Sequence, residues 1–251
     1  MGKFYSLVAP IVHEAGEDLA KYFGKVDSIA QKTASPVDIV TELDVKTEEL
    51  IASRLKEVYP SIEFFGEELG GNDKAERFWL LDPIDGTAHF MRGIPFCTTM
   101  LALIEDGQVV FSLIYNFVTK DMYFAERGGG SKLNGTPIHV SSRPLKDAYI
   151  SVEANHHKNE NLNKFILIRK KCPIITTMSA GFEYGLIATG KIEARVCFDP
   201  YGKDWDYAPG SLLVSEAGGI VKNIGSDSYD YRNHNFIAGN KSVYEELKGL
   251  F

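Results

Sequence analysis

The sequence lacks any long apolar segment. None of its 251 residues belongs to an uninterrupted apolar run that approaches the 18 or more residues needed to span a bilayer. The first residues carry Lys3 and then several acidic side chains, without the hydrophobic region of a secretory signal. We therefore expect no membrane partner and a cytoplasmic location.

Cysteines are few. The three present, Cys97, Cys172 and Cys197, are odd in number and stand among apolar neighbours. This pattern is typical of small core residues and speaks against a disulfide framework or a zinc site. The sequence also has no internal repeat and no low-complexity segment, so repeat architectures are excluded.

The chain lacks an excess of basic residues. Lysine and arginine number 27 against 34 acidic residues, which gives a net charge of -7. A nucleic acid is therefore not expected as the main partner, because phosphate backbones require a basic surface, although there is room for a local basic pocket. The length suits one large or two modest domains, and 44% hydrophobic residues supply a substantial core.

The N-terminal part combines helical and short strand patterns. Apolar spacing predicts an amphipathic helix over residues 3–23, which Pro10 should start, kink or break. The polar residues 28–41 suggest an irregular segment. A second helix is expected from Thr41 or Leu43 to about residue 59, and a short strand over residues 62–65.

The pattern then changes twice. Residues 96–140 read as antiparallel hairpins, with turn signals at Asp106-Gly107 and Asn134-Gly135. After residue 143 strands and helices alternate, which is typical of an α/β arrangement. We place the domain boundary in residues 141–144 and predict an α+β part over residues 1–142 and an α/β part over residues 143–251.

Two carboxylates leave one predicted strand together. The apolar residues 78–81 predict a buried strand that Asp82 ends, and Asp85 follows three positions later. Like charges this close repel each other unless a cation lies between them, and oxygen ligands suit a hard cation such as Mg²⁺. The alternative is an ordinary Asp-Pro and Asp-Gly turn with solvated charges.

Three further acidic residues lie at the ends of predicted elements. Glu67 follows a strand, whereas Asp44 and Asp206 stand at helix starts. Each has an ordinary explanation, because the two aspartates could cap helices and Glu67 could lie on a solvated turn. Their occurrence in order at the ends of elements is what makes a shared site the stronger hypothesis.

The motifs that contain these acids resemble those of the inositol monophosphatase family. The members of this family are Mg²⁺-dependent, lithium-sensitive phosphomonoesterases. The matching segments are 35–44 (SPVDIVTELD), 66–68 (GEE), 82–87 (DPIDGT) and 205–208 (WDYA), which continues as 212–219 (LLVSEAGG). The resemblance covers nearly the whole chain. It implies an α+β / α/β fold, a layered αβαβα sandwich with an N-terminal antiparallel sheet and a C-terminal α/β part that contributes Asp206 and the substrate loops.

The resemblance also implies a centre with two to three Mg²⁺ ions. The first ion would be held by Glu67, Asp82 and the carbonyl of Ile84. The second would be held by Asp82, Asp85 and Asp206, and a third, weaker ion would contact Glu67 and water. Metal ions offset the negative charge that phosphoryl transfer concentrates on oxygen.

Further roles are carried over from the family. Asp44 and Thr87 match the pair that orients and deprotonates a water molecule, and the amides of Gly86 and Thr87 would bind phosphate. Ser179, Ala180 and Asp199 fall on positions near the hydroxyls of the substrate. Asp199 could equally be a turn former before Pro200.

The function implied by the resemblance is hydrolysis of a small phosphorylated polyol or sugar by a metal-activated water, with inositol 1-phosphate as the default. Fructose 1,6-bisphosphate, histidinol phosphate and nucleotide 3'- or 2'-phosphates are the alternatives. A non-catalytic metal-binding regulatory protein is the alternative from another class. The family often forms homodimers. No role is assigned to Lys32, and we interpret His89 as a surface residue.

Overall fold

The described part of the chain begins with two helices, continues mainly as strands to about residue 137, and alternates between strands and helices after residue 143. The computed structural model describes residue 2, residues 4–26 and residues 36–251, with the backbone alone for residues 36–40. Seven α-helices lie wholly within these residues: α1 (Tyr5–Ala20), α2 (Pro36–Val58), α3 (Thr87–Arg92), α4 (Asn159–Arg169), α5 (Ala180–Ala188), α6 (Asp204–Glu216) and α7 (Lys241–Leu247). Short 3₁₀ turns occupy Leu145–Asp147 and Lys248–Leu250. None of the described helices is long and apolar enough to cross a membrane.

Eight strands form the first sheet, in the order β2-β1-β3-β4-β5-β6-β7-β8. They are β1 (Glu63–Gly66), β2 (Gly70–Gly71), β3 (Arg77–Asp85), β4 (Thr98–Glu105), β5 (Gln108–Asn116), β6 (Asp121–Glu126), β7 (Ser131–Leu133) and β8 (Thr136–Pro137). All neighbours are antiparallel except β1 and β3. The turn residues Asp106, Gly107, Asn134 and Gly135 all have positive φ, which two-residue hairpin turns require. The predicted hairpins are therefore confirmed.

Five strands form the second sheet, in the order β10-β9-β11-β13-β12. They are β9 (Ile150–Ala154), β10 (Ile174–Ile175), β11 (Ala194–Phe198), β12 (Ile220–Asn223) and β13 (Phe236–Gly239). Strands β10, β9 and β11 are parallel, and β13 is antiparallel to both of its neighbours. The predicted alternation of strands and helices after residue 143 produces this sheet.

Three apolar cores hold five layers of helices and sheets together. Helices α1 and α2 cover one face of the first sheet, with Val12, Leu55 and Trp79 buried between them. Helices α5 and α6 fill the space between the two sheets. Helices α4 and α7 cover the outer face of the second sheet. The αβαβα sandwich implied by the sequence is confirmed, while the division at residues 141–144 into two domains stays a prediction.

The N-terminal helices differ from expectation. Helix α1 continues through Pro10. The lost backbone hydrogen bond costs about 3 kcal/mol, but burial of the helix's apolar face offsets it at about 1.5–3 kcal/mol for each large side chain. Helix α2 begins at Pro36, before the predicted start at Thr41 or Leu43, because proline is well suited to the first position of a helix. The rest of the predicted irregular segment, residues 28–35 with Lys32, lies outside the described residues.

Strand β3 is longer than predicted. It continues past Asp82 to Asp85, and its register against β4 shifts between these two residues. The shift accommodates Pro83, which has no N–H to donate to the neighbouring strand. As a result, Asp82 and Asp85 both belong to one strand instead of leaving it in a turn.

Candidate active site

Parallel pairing of β1 and β3 brings the first two acids to one edge of the large sheet. Gly66 at the end of β1 lies opposite Leu81, so Glu67 follows β1 where Asp82 follows Leu81. The Glu67 N–H donates to the carbonyl oxygen of Leu81 at 3.1 Å. The two carboxyl groups are therefore placed side by side by the backbone.

The irregular part of β3 is stabilised by hydrogen bonds from β4. The Thr99 hydroxyl donates to the carbonyl of Pro83 at 2.9 Å, and the Thr98 hydroxyl donates to Asp85 Oδ2 at 3.0 Å. Thr98 lies directly opposite Asp85 in the ladder. These bonds fix the backbone at Pro83 and the carboxylate of Asp85.

Asp85 also accepts hydrogen bonds from the start of α5. Ser179 Oγ donates to Oδ2 at 2.6 Å, Gly181 N donates to Oδ2 at 2.9 Å, and Ala180 N donates to Oδ1 at 3.0 Å. Burial raises the pKa of Asp85, and these donors oppose that shift because they stabilise the carboxylate. A helix from the middle layer thus orients an acid of the large sheet.

Asp206 reaches the same place from the first turn of α6. Its Oδ2 accepts the backbone N–H of Lys203 at 2.6 Å, which fixes the side chain at the beginning of the helix. Burial, followed by the charge of Asp85, raises the pKa of Asp206 to about 7. The predicted capping role and the predicted site role therefore coexist in one residue.

Three carboxylates converge at this point. Asp82, Asp85 and Asp206 each offer an oxygen, and these oxygens lie within 4.8 Å of one another. Asp82 is buried, and its Oδ1 has no hydrogen-bond partner among the described residues. Burial, followed by the charge of Glu67, raises the pKa of Asp82 well above its ordinary value.

This donor set fits a hard divalent cation. Burial raises the pKa of Glu67 as well, although a hydrogen bond with Asp82 counteracts part of the shift. The raised pKa values indicate that no neighbouring positive charge stabilises the ionised form of these clustered carboxyl groups. Carboxylate oxygens are the ligands that Mg²⁺ prefers. The unpaired Asp82 oxygen in the middle of the cluster is the atom that a cation would satisfy.

Helix α2 contributes a fifth carboxylate. Burial, followed by the charges of Glu68 and Glu67, raises the pKa of Asp44 to about 8. One turn later, Glu48 accepts the backbone N–H groups of Glu68 at 3.0 Å and Leu69 at 2.9 Å. The helix therefore both carries Asp44 and holds the turn that presents Glu67.

The start of α3 forms the other wall of the cluster. Gly86 has φ 83°, and a Cβ there would lie 2.4 Å from the carbonyl oxygen of Phe96, so glycine is required. The Thr87 hydroxyl donates to the carbonyl of Ile84 at 2.9 Å. Among the described residues, Ile84 is the hydrogen-bond partner of the Thr87 side chain, and no hydrogen bond joins Thr87 to Asp44 there.

Two adjoining cavities open onto the acids. The smaller, about 270 Å³, is lined by Glu67, Asp82, Ile84, Asp85, Gly86, Thr87, Ala88, His89, Met178 and Asp206. The larger, about 490 Å³, shares Glu67, Asp85, Met178 and Asp206 and extends to the second sheet. A molecule bound at the carboxylates can therefore extend into the larger cavity.

Comparisons with known proteins identify the family of this chain. The model of the inositol monophosphatase family matches residues 3–250. The chain belongs to the inositol monophosphatase family. Similar relatives include an inositol-1-monophosphatase of Rhizobium meliloti, 31% identical over 97% of this chain and 94% of the relative. Another is the Nus factor SuhB of Pseudomonas aeruginosa, 30% identical over 93% of this chain and 90% of the relative.

A solved structure supports the fold of this family member. The extragenic suppressor protein suhB of Bartonella henselae superposes with a TM-score of 0.87 at 27% identity, covering 99% of this chain and 98% of that one. The resemblance identified from the motifs is thereby confirmed. The layered α+β architecture is shared along the whole length.

The family-derived substrate positions separate in space. Ser179 and Ala180 contact Asp85, as described above, and Ala180 lines the larger cavity. Asp199 lines neither cavity at the acids. Its carboxylate accepts from Asn161 at 2.8 Å and pairs with Lys158 at 2.7 Å, and its backbone has φ 49°. The structure thus favours the turn-forming alternative for Asp199.

Several residues at the site were not singled out from the sequence. Glu48 carried a usable signal, because it stands one helical turn after Asp44. Glu153 ends a predicted strand, as Asp82 does, and it lines the larger cavity with Arg195. His89, interpreted as a surface residue, is half-buried, and its Nδ1 has no partner in the described part of the chain.

Proposed function

We propose that this protein is a Mg²⁺-dependent phosphomonoesterase that hydrolyses a small phosphorylated polyol or sugar, with inositol 1-phosphate as the default substrate. The observation that carries the proposal is the convergence of Asp82, Asp85 and Asp206 around a buried, unpaired Asp82 oxygen. Membership of the inositol monophosphatase family supports a phosphatase of the hydrolase class.

Two to three Mg²⁺ ions would be held by the acidic cluster. One set of ligands is Glu67, Asp82 and the carbonyl of Ile84, and the other is Asp82, Asp85 and Asp206. When bound, the ions would neutralise charge on the phosphoryl oxygens and lower the pKa of a water molecule. The ions also explain how so many carboxylates can be ionised in one small volume.

Asp44 and Thr87 are proposed to handle the attacking water. The pKa of Asp44 is raised to about 8 in the metal-free protein, so its ionised form is a stronger base than an ordinary aspartate, and bound cations would favour that ionised form. The Thr87 hydroxyl donates to the Ile84 carbonyl, so its oxygen is left to accept a hydrogen bond from water.

The phosphate is proposed to lie against the backbone after β3. The N–H groups of Gly86 and Thr87 precede the hydrogen-bonded part of α3, so they are not needed inside the helix. Phosphate oxygens are suitable acceptors for such groups. The phosphoester oxygen would then face the larger cavity, where the alcohol part of the substrate leaves.

The test is phosphate release by the purified protein. A panel of inositol 1-phosphate, fructose 1,6-bisphosphate, histidinol phosphate and nucleotide 2'- and 3'-phosphates is assayed with Mg²⁺ and with a chelator. We expect Mg²⁺-dependent release from at least one monophosphate of a polyol or sugar. Absence of release from every member of the panel would refute the enzyme assignment.

A regulatory protein without turnover is the second candidate, because one relative at 30% identity is named Nus factor SuhB. Such a protein would bind Mg²⁺ at the same acids but release no phosphate, so the panel separates the two candidates. Homodimer formation and inhibition by lithium are further proposals from family membership. Light scattering and a lithium titration of the active protein check them.

A further inference from the structure

The larger cavity beside the acids has a wall that the proposed chemistry leaves unused. Its volume is about 490 Å³, and one side consists of Glu67, Asp85 and Asp206. The opposite side is formed by Glu153, Glu183 and Arg195. If the phosphate binds at the acidic cluster, the rest of the substrate faces these three side chains.

Arg195 is paired with both of its acidic neighbours. One terminal nitrogen donates to Glu153 Oε2 and the other donates to Glu183 Oε2. The Arg195 residue is only 4% exposed, and its Nε is buried without a hydrogen-bond partner among the described residues. The charge of the guanidinium is therefore already matched by two carboxylates, although an arginine in such a cavity would otherwise suit phosphate.

Both glutamates are held in place by further donors. Glu183 Oε1 accepts from the backbone N–H of Thr177 at 2.9 Å and from its hydroxyl at 2.8 Å. Glu153 Oε1 accepts from the N–H groups of Tyr201 and Gly202 and from the hydroxyl of Tyr207. Burial opposes the ionisation of Glu153, but the charge of Arg195 and these donors outweigh burial and lower the pKa of Glu153.

Charge counting gives the wall a definite sign. Two carboxylates against one guanidinium leave one net negative charge facing the cavity. The remaining cation in the lining, Lys203, is exposed to solvent, where water and salt screen its charge. The exposed Met178 and Tyr201 and the partly buried Trp205 add apolar surface to the same cavity.

We propose that the Glu153–Arg195–Glu183 triad is a specificity element that admits an uncharged, hydroxyl-bearing leaving group and disfavours a second phosphate. A second phosphate would approach two carboxylates whose only buried counter-charge is already paired. A polyol ring carries no such charge, and its carbon face can contact Met178 and Tyr201. This inference rests on the proposed function and narrows its substrates to monophosphates.

The test compares two substrates that differ only in a second phosphate, inositol 1-phosphate and inositol 1,4-bisphosphate. We expect kcat/KM of the wild-type protein to be about tenfold or more higher for the monophosphate than for the bisphosphate, because one unfavourable close charge contact has an effect of this size. A preference for the bisphosphate would overturn the inference. Absence of release from these two substrates and from every member of the phosphomonoester panel would instead overturn the proposed function on which it rests.

Added positive charge in the wall should reduce the discrimination. Thr176 is exposed and lines the cavity, and its side chain has no hydrogen bond to the described residues. Thr176→Lys is therefore expected to raise the relative kcat/KM for the bisphosphate about threefold, as an exposed ion pair allows. Ser242→Lys adds the same charge at an exposed position on α7, on the far side of the second sheet, and should leave the ratio unchanged.

Removal of negative charge gives the complementary result. Glu153→Gln keeps an oxygen that can accept from Tyr201 and Gly202, and it should shift the ratio in the same direction as Thr176→Lys. Thermal unfolding shows whether the Glu153→Gln protein is folded. If it is not folded, Thr176→Lys still tests the inference. A ratio unchanged from wild type in Thr176→Lys, and in any folded Glu153→Gln protein, would refute the triad as a specificity element.

Discussion

At the scale of single residues, Asp85 is held by four donors from two other elements. Thr98 belongs to β4, and Ser179, Ala180 and Gly181 belong to the start of α5. These bonds leave the carboxylate little freedom to turn away from Asp82 and Asp206. Its charge and its orientation can therefore be tested separately.

Asp85→Asn removes the charge and keeps the size. We expect kcat to fall by about 100-fold or more, because the proposed Mg²⁺ loses a charged ligand and the new amide faces hydrogen-bond donors. Steady-state phosphate release measures the effect. Asp227→Asn, at a fully exposed carboxylate, serves as the control and should keep wild-type activity. Near-normal kcat in Asp85→Asn would refute the metal assignment.

Ser179→Ala removes a donor to Asp85 and also the side-chain cap of α5, since Ser179 Oγ accepts from the N–H of Phe182. We expect Mg²⁺ affinity to fall about tenfold, as for other residues that orient a ligand, and stability to fall by about 1 kcal/mol. Asn240→Ala removes the equivalent cap of α7. Calorimetric Mg²⁺ titration should show lower affinity in the first variant alone; equal affinities would contradict the orienting role.

At the scale of elements, α2 holds the Glu67 turn through one buried side chain. Glu48 lies against Gly66, where a Cβ would approach Glu48 Oε1 to 2.1 Å. It accepts both N–H groups that follow Glu67. The helix thus fixes the position of a proposed ligand that it does not itself carry.

Glu48→Ala should release this turn. We expect Mg²⁺ affinity and kcat both to fall about tenfold or more, because two buried N–H groups lose their acceptor and Glu67 is no longer fixed. Glu49→Ala, at the next and exposed position, is the matched control. Indistinguishable metal affinities in the two variants would show that Glu48 has no positioning role.

Elements with local signals were predictable from the sequence. The hairpins follow from Asp106-Gly107 and Asn134-Gly135, whose turns need no distant partner. The parallel pairing of β1 with β3 and the shift within β3 depend on residues far apart in the chain, so periodicity could not predict them. For the same reason the order of the acids at the ends of elements could suggest a shared site, but only the family resemblance implied which acids bind the same ion.

The triad was missed for a related physical reason. Glu153 and Arg195 meet because β9 and β11 pair in parallel, with Glu153 opposite Cys197. No local pattern predicts that register. Asp199 illustrates the converse: its position in the motif suggested a substrate contact, but its carboxylate contacts Asn161 and Lys158 in the structure.

At the scale of the whole molecule, the acidic cluster links stability to pH. The pKa of Asp206 is raised to about 7 and that of Asp44 to about 8, against ordinary values near 4. At pH values between the ordinary and the raised pKa values, the folded protein binds more protons than the unfolded chain. The free energy of unfolding therefore falls as pH rises through this range. Metal-free protein should thus be less stable at pH 8 than at pH 6.

Thermal unfolding in chelator at pH 6 and pH 8 measures this difference. Mg²⁺ should raise Tm most at pH 8, because it replaces the protons that the cluster has lost; 100-fold excess over Kd contributes about 2.7 kcal/mol. In Asp206→Asn the amide does not titrate, so the pH difference in chelator should shrink. A metal-free Tm that rises from pH 6 to pH 8 would contradict the raised pKa values.

The most direct measurement is the rate of phosphate release from inositol 1-phosphate as Mg²⁺ is returned to chelator-treated protein. We expect no release without the ion and a rate that rises to saturation as Mg²⁺ fills the proposed sites at Asp82, Asp85 and Asp206. Release that is independent of Mg²⁺, or no release at any Mg²⁺ concentration from this or any other phosphomonoester, would contradict this expectation.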